Sequence, residues 1–236
     1  MKKMVFCFIY SFLSIGINAQ NLMGAWECHQ TSVTGENLRS VLIVSDAYQV
    51  LTTFNSDSGA FISSNGGSWK LEGNTMTEKV EFNSNKPEMV GSEISFTIAL
   101  NDSIFKIVGS DIKMKRIDGG GSGELQGIWL MSGRTIDGLT QLINTDGPRK
   151  TMKILSATRF QWIAYNTETK QFMATGGGNY TTINGIYTEM IEFFSRDITK
   201  VGLQLKFDYK LTGGNWHHSG FSTKGDPIDE VWIKRN

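Results

Sequence analysis

The chain has 236 residues, 39 % of them apolar, with 26 glycines, 3 prolines and 23 basic side chains balanced by 23 acidic ones. That length accommodates one large domain or two of about 100 residues. Balanced charge without a Lys/Arg cluster excludes an ordinary nucleic-acid-binding protein, which must neutralise phosphates, and 11 % aromatic content with frequent Thr, Ile and Val excludes disorder in favour of a packed β-rich fold.

The N-terminus reads as a secretory signal spanning residues 1–19. Lys2 and Lys3 form a positive start, Met4 to Ile17 is almost wholly apolar, and Ala19 supplies the small residue a signal peptidase needs. The apolar run is shorter than the roughly 20 residues that span a bilayer, and no second run of that length follows. Cys7 lies inside the run rather than after it, so a lipoprotein anchor is not expected. Export would leave Cys28 as the sole cysteine and a net charge of −2. The expectation is an exported protein, periplasmic or secreted, with no intrachain disulfide and no transmembrane span.

The rest of the chain is one unit written twice. Leu22-Met23-Gly24-Ala25-Trp26 recurs as Leu125-Gln126-Gly127-Ile128-Trp129 at an offset of 103. Ile43 to Gly109 then matches Ile154 to Gly220 at an offset of 111, with 16 identities in 67 positions and no gap. Ile112 to Arg116 matches Val231 to Arg235 at an offset of 119. Each change of offset is an eight-residue insertion in the second copy, expected in surface loops. Repeat 1 covers 20–117 and repeat 2 covers 124–236, joined by the glycine-rich segment 118–123, whose composition is that of a flexible linker.

Within each copy the period is two. In repeat 1, Met76, Glu78, Val80 and Phe82 share a face, as do Ile94, Phe96, Ile98 and Leu100. In repeat 2, strands are expected from Phe160, over Tyr180 to Thr182, Tyr187 to Phe194, Leu203 to Leu211, Trp216 to Gly220 and Glu230 to Lys234. Turn signals such as Asn184-Gly185 and Gly213-Gly214-Asn215 separate them. Short alternating strands at that spacing mean an all-β antiparallel barrel or a β-sandwich.

The Gly-x-Trp at the head of each copy, Gly24/Trp26 and Gly127/Trp129, followed by an up-and-down strand series, resembles the calycin group of lipocalin-like barrels. There the Trp closes the bottom of the barrel. Repeat 2, with Phe160-Gln161-Trp162, Gly176-Gly177-Gly178-Asn179-Tyr180 and Glu230-Val231-Trp232, is similar to exported lipocalin-like domains of Bacteroidota. The resemblance implies two tandem small up-and-down β-barrels, with the sandwich as the alternative.

Chemistry is sought on the inward faces. Glu78 and Glu189 are carboxylates on otherwise apolar strand faces, where an ionised group needs a cation, hydroxyls or a ligand. Each is a structural hydrogen-bond hub or a ligand contact. Glu81 and Glu192 alternate to the opposite face and are expected in solvent. His218 takes an inward position that is aliphatic in repeat 1, either as a hydrogen-bonded core residue or as a ligand contact. Glu189, His218, Tyr187, Trp162 and Arg159 are the groups expected to converge inside repeat 2, which is read as the functional barrel with repeat 1 as its support.

Elbow, Walker and zincin motifs are absent, and adjacent His217 and His218 project to opposite faces. No metal site, cofactor or assigned catalytic residue is therefore expected. Three functions stay open. The first is a non-enzymatic binding module holding a small, partly hydrophobic molecule, lipid-like or a glycan fragment. The second is an envelope or secreted module that binds a protein partner through the inserted loops Ser132 to Thr151 and Phe221 to Ile228. The third is a hydrolase or isomerase using Glu189 with His218 as acid and base.

Overall fold

The computed structural model describes residues 22–121 and 123–235. The expected signal segment 1–19, with Cys7, lies outside the described residues.

Barrel 1 runs through β1 (Gly24–Thr31), β2 (Asn37–Val44), β3 (Tyr48–Asn55), β4 (Phe61–Glu72), β5 (Thr75–Asn83), β6 (Glu93–Leu100), β7 (Ile104–Ile107) and β8 (Lys113–Asp118). Neighbours in sequence pair antiparallel and β8 returns to β1, so the sheet closes. Repeat 2 supplies β9 (Gly127–Ile136), β10 (Leu139–Leu142), β11 (Arg149–Leu155), β12 (Arg159–Asn166), β13 (Gln171–Ile183), β14 (Ile186–Phe194), β15 (Gln204–Thr212), β16 (Asn215–Phe221) and β17 (Pro227–Lys234). Here β17 pairs with β9 and closes a second eight-stranded barrel. Both units are thus barrels and not sandwiches. The first insertion lengthens β9 and folds back as β10, which pairs with β9 beyond the point where β11 leaves it. Among the described residues no helix is long and apolar enough to cross a membrane.

Two glycine devices recur in both copies. Gly24 and Gly127 start their first strands at φ 119° and 111°, which a residue with a Cβ rarely adopts. The chain then buries Trp26 and Trp129 in the two barrel cores, where the indole Nε1 groups donate to the Leu22 and Leu125 carbonyls at 2.9 and 2.8 Å. Arg116 and Lys234 cap the two indoles from outside, 3.9 and 4.3 Å from the ring centres. The pairs Gly66-Gly67 and Gly177-Gly178 sit at β-bulges where the long strands bend. A Cβ on Gly67 or Gly178 would meet the carbonyl of Lys79 or Met190 at 1.9 Å.

The last strand corrects the repeat alignment. Trp26 pairs with Arg116 and Trp129 with Lys234, and Phe105 pairs with Met114 as Trp216 does with Trp232. The true offset is 118, one less than the short match of Lys and Arg residues suggests, and the second insertion is seven residues long. A one-residue slip exchanges the two faces of a strand, so Met114 and Trp232 are the inward equivalents.

The barrels pack side by side around an approximate two-fold relation. A shared core joins Val41, Ile43, Val50 and Phe54 of barrel 1 to Ile128, Ile154, Ile163 and Tyr165 of barrel 2. Phe54 meets Phe193 at 5.0 Å while their repeat equivalents Tyr165 and Phe82 meet at 5.1 Å, and Phe61 stacks on its own equivalent Phe172 with planes 4° apart. At the centre Gln161 accepts from the Thr52 hydroxyl and donates to Ser64 and Thr175.

This packing overturns the solvated placement of Glu81 and Glu192. Glu81 accepts from Tyr165 at 2.6 Å and from Arg235 at 2.8 and 3.0 Å. Glu192 is held by Arg159 at 2.5 and 2.8 Å and by Arg39 of barrel 1 at 3.0 Å. Arg159 therefore points out of barrel 2 into the inter-barrel contact, not inward as expected, because Phe160 and not Arg159 takes the inward place on β12. The glycine segment is not a free hinge either. Asp118 accepts from Ala25 and Gly120 backbone amides with one oxygen and from Ser156 and Thr158 of barrel 2 with the other.

Candidate functional site in the barrel interiors

The two interiors have the same frame and different fillings. In barrel 2 the inward positions carry Trp129, Phe160, Tyr187, Phe207, Trp216 and Trp232, a closed aromatic core. Lys153 enters this core from β11, because it alternates with Met152 and Ile154, which face the other barrel. Its ammonium lies 3.0 Å from Glu189 Oε1, and both side chains are 5 % exposed. It also sits 4.9 to 5.1 Å from the ring centres of Trp216, Tyr187 and Trp232. A desolvated cation facing aromatic rings gains about 2 kcal/mol per good contact, which offsets part of the cost of removing the charge from water.

Glu189, His218, Tyr187 and Trp162 all belong to this interior, with Trp162 toward its rim, edge-on to Phe194 at 5.5 Å. They do not form the acid–base pair considered from the sequence. Glu189 is bonded to Lys153, whereas His218 Nδ1 faces Glu230 at 3.6 Å, and Glu230 accepts from Arg134 at 2.8 Å. Burial and the Lys153 charge push the His218 pKa down, so the ring is neutral near pH 7. Burial alone would raise Glu230, but the facing His218 ring, the Lys153 charge and Arg134 together hold it at about 2. Lys153 and Glu230 are absent from the residues expected to matter. Alignment of Lys153 with Leu42, an inward neighbour of Trp26, was the available signal.

Barrel 1 is open where barrel 2 is filled. A cavity of about 360 Å³ lies between Leu42, Leu51, Met76, Phe96, Phe105 and Met114. The equivalents in barrel 2 are Lys153, Trp162, Tyr187, Phe207, Trp216 and Trp232, so the cavity is the volume by which repeat 1 is under-filled. It falls inside the roughly 300–1,000 Å³ of ordinary small-molecule sites. Its polar wall is made by Glu78, Gln49, Asn65 and the half-buried Cys28. Glu78 is 7 % exposed, and burial raises its carboxyl to about 7, partly offset by a hydrogen bond from the Gln49 side chain. Its Oε1 has no hydrogen-bond partner among the described residues. Burial likewise raises the Cys28 thiol.

Such a site can hold an apolar body and offer one carboxyl and several neutral groups to a polar head. No model of a known protein family and no curated protein matches the chain.

Proposed function

We propose that the protein is an exported, non-enzymatic carrier or sensor of a small, partly apolar molecule, bound inside barrel 1. The single observation that carries this reading is the cavity of about 360 Å³ with the unpartnered Glu78 Oε1 on its wall. A buried polar atom left without a partner costs about 1–3 kcal/mol, which a ligand hydrogen bond would recover. Barrel 2, whose inward positions carry the larger aromatic side chains, braces the open barrel through the shared core, an assignment opposite to that made from repeat content alone. Export rests on the signal-like segment 1–19, and kinship with lipocalin-like barrels on Gly24/Trp26 and Gly127/Trp129. The balanced charge supports a small-molecule ligand and not a nucleic acid.

The test fills barrel 1 with the residues of repeat 2: Met76→Tyr, Phe105→Trp and Met114→Trp. Fluorescence of the neutral dye prodan should shift and saturate with the natural protein and lose that response with the filled variant, while circular dichroism stays unchanged. An equal response from both proteins would refute binding in barrel 1.

A second reading, a protein-binding module, is favoured by the β9–β10 hairpin. Leu139 and Leu142 on β10 are 73 % and 87 % exposed, and Leu142 lines a crevice of about 530 Å³ together with Arg134 and Arg149. Leu139→Ser with Leu142→Ser should then abolish cross-linking to a partner and leave prodan binding intact. Undiminished cross-linking would remove this reading.

A further inference from the structure

The duplication allows one barrel to be read against the other. Glu78 and Glu189 are equivalent, and both are buried carboxylates on the inward face of the fifth strand of their barrels. Glu189 has a counter-ion supplied by the chain, the Lys153 ammonium at 3.0 Å. At the equivalent position barrel 1 has Leu42, which pairs with Trp26 as Lys153 pairs with Trp129. The rings and chains around the Lys153 ammonium, Tyr187, Phe207, Trp216 and Trp232, correspond to Met76, Phe96, Phe105 and Met114, and all four of these line the cavity. The space that the lysine head occupies in barrel 2 is thus open in barrel 1, beside a carboxylate whose Oε1 is unpartnered.

Charge selects among apolar ligands. Among the described residues lining the cavity none is basic, so an anionic head such as a fatty-acid carboxylate would be buried beside Glu78 with no cation to meet it. A protonated amine meets the carboxylate directly, and the aromatic Phe96 and Phe105 line the same cavity. We propose that barrel 1 takes a small organic amine, its ammonium on Glu78 and its apolar body between Leu42, Met76, Phe96 and Phe105, as the diffusible counterpart of the lysine built into barrel 2. Binding forms no covalent bond, and a proton still on Glu78 is released to solvent when the ammonium pairs with it. This inference rests on the reading of barrel 1 as a binding site and names the ligand class for it.

Calorimetric titration of the full chain with n-octylamine, 1-octanol and octanoate tests it, since the three share a tail and differ in head charge. Octylamine should bind about ten-fold or more tighter than octanol, with octanoate the weakest, the difference a charge-assisted hydrogen bond makes. Glu78→Gln should bring octylamine down to the level of octanol. Leu42→Lys should give barrel 1 its own internal ammonium and abolish octylamine binding; should that variant fail to fold, Glu78→Gln alone decides. Octanol or octanoate binding as tightly as octylamine, or an amine preference that survives Glu78→Gln, would overturn the amine assignment and leave the cavity reading standing. The same holds if none of the three binds while prodan does. Absence of binding by all three and by prodan would overturn both.

Discussion

Lys153 and Glu189 form an ion pair of 3.0 Å inside barrel 2, sealed from water by aromatic rings, while the equivalent Glu78 in barrel 1 faces a cavity. Removing one partner of such a pair strands a buried charge, whereas removing both does not. Lys153→Met should destabilise the protein by about 3–5 kcal/mol in urea unfolding, and adding Glu189→Gln should restore a large part of the loss. A cost below about 1 kcal/mol for Lys153→Met would mean that the pair contributes no more than a solvated surface pair.

Glu78 predicts a pH dependence of opposite sign to that of most carboxylates. Its folded-state value of about 7 lies above the ordinary 4.5, so folding favours the protonated form. The stabilisation is complete below pH 4.5, declines as pH rises and is gone above about 7, a total near 3 kcal/mol. Glu78→Gln should flatten this window and leave the variant more stable than the natural protein at pH 8. Glu230, held at about 2, acts at the other end: its contribution is present above 4.5 and is lost as pH falls toward 2. Identical pH–stability curves for the natural protein and Glu78→Gln between pH 5 and 8 would exclude a buried, protonated Glu78.

The shared core predicts that the barrels unfold together. Phe54 packs on Phe193 across the contact, and Phe→Ala at such a site costs about 3–5 kcal/mol. Phe54→Ala should lower the single calorimetric transition of the whole chain. Two resolved transitions in the natural protein, only one of them moved by Phe54→Ala, would show independent barrels.

Gly178 predicts a backbone limit. Alanine there would place a Cβ 1.9 Å from the Met190 carbonyl, which only a shift of the bulge relieves. Gly178→Ala should cost about 3 kcal/mol, at the top of the overpacking range, while alanine at the exposed Gly185 neighbour Asn184, whose φ is 51°, should cost about 1 kcal/mol. Equal and small effects at both positions would mean that the bulge does not depend on a missing side chain.

The pattern of repeats and alternating residues was sufficient for two antiparallel all-β units and the inward placement of Glu78, Glu189 and His218, while the choice of barrels over sandwiches came from the resemblance carried by Gly24/Trp26 and Gly127/Trp129. These follow from a period of two and from a Trp behind a glycine, both local properties of the chain. Alternation says which face a residue shares and nothing about what covers that face. Glu81, Glu192 and Arg159 therefore read as solvated or misplaced until the second barrel was brought against the first.

Which barrel is open was a matter of volume rather than pattern. Repeat 2 looks richer in chemistry because its inward residues are large and polar, and for that reason they fill the barrel, with Lys153 and Glu189 pairing inside it. Repeat 1 looks plain because Leu42, Met76 and Met114 are small beside Lys153, Tyr187 and Trp232, and the space they leave exposes Glu78. Sequence by itself determined the duplicated frame and the two buried carboxylates. Only the tertiary structure decided that one carboxylate has its cation within the chain and the other does not, because that depends on three-dimensional packing across strands far apart in sequence.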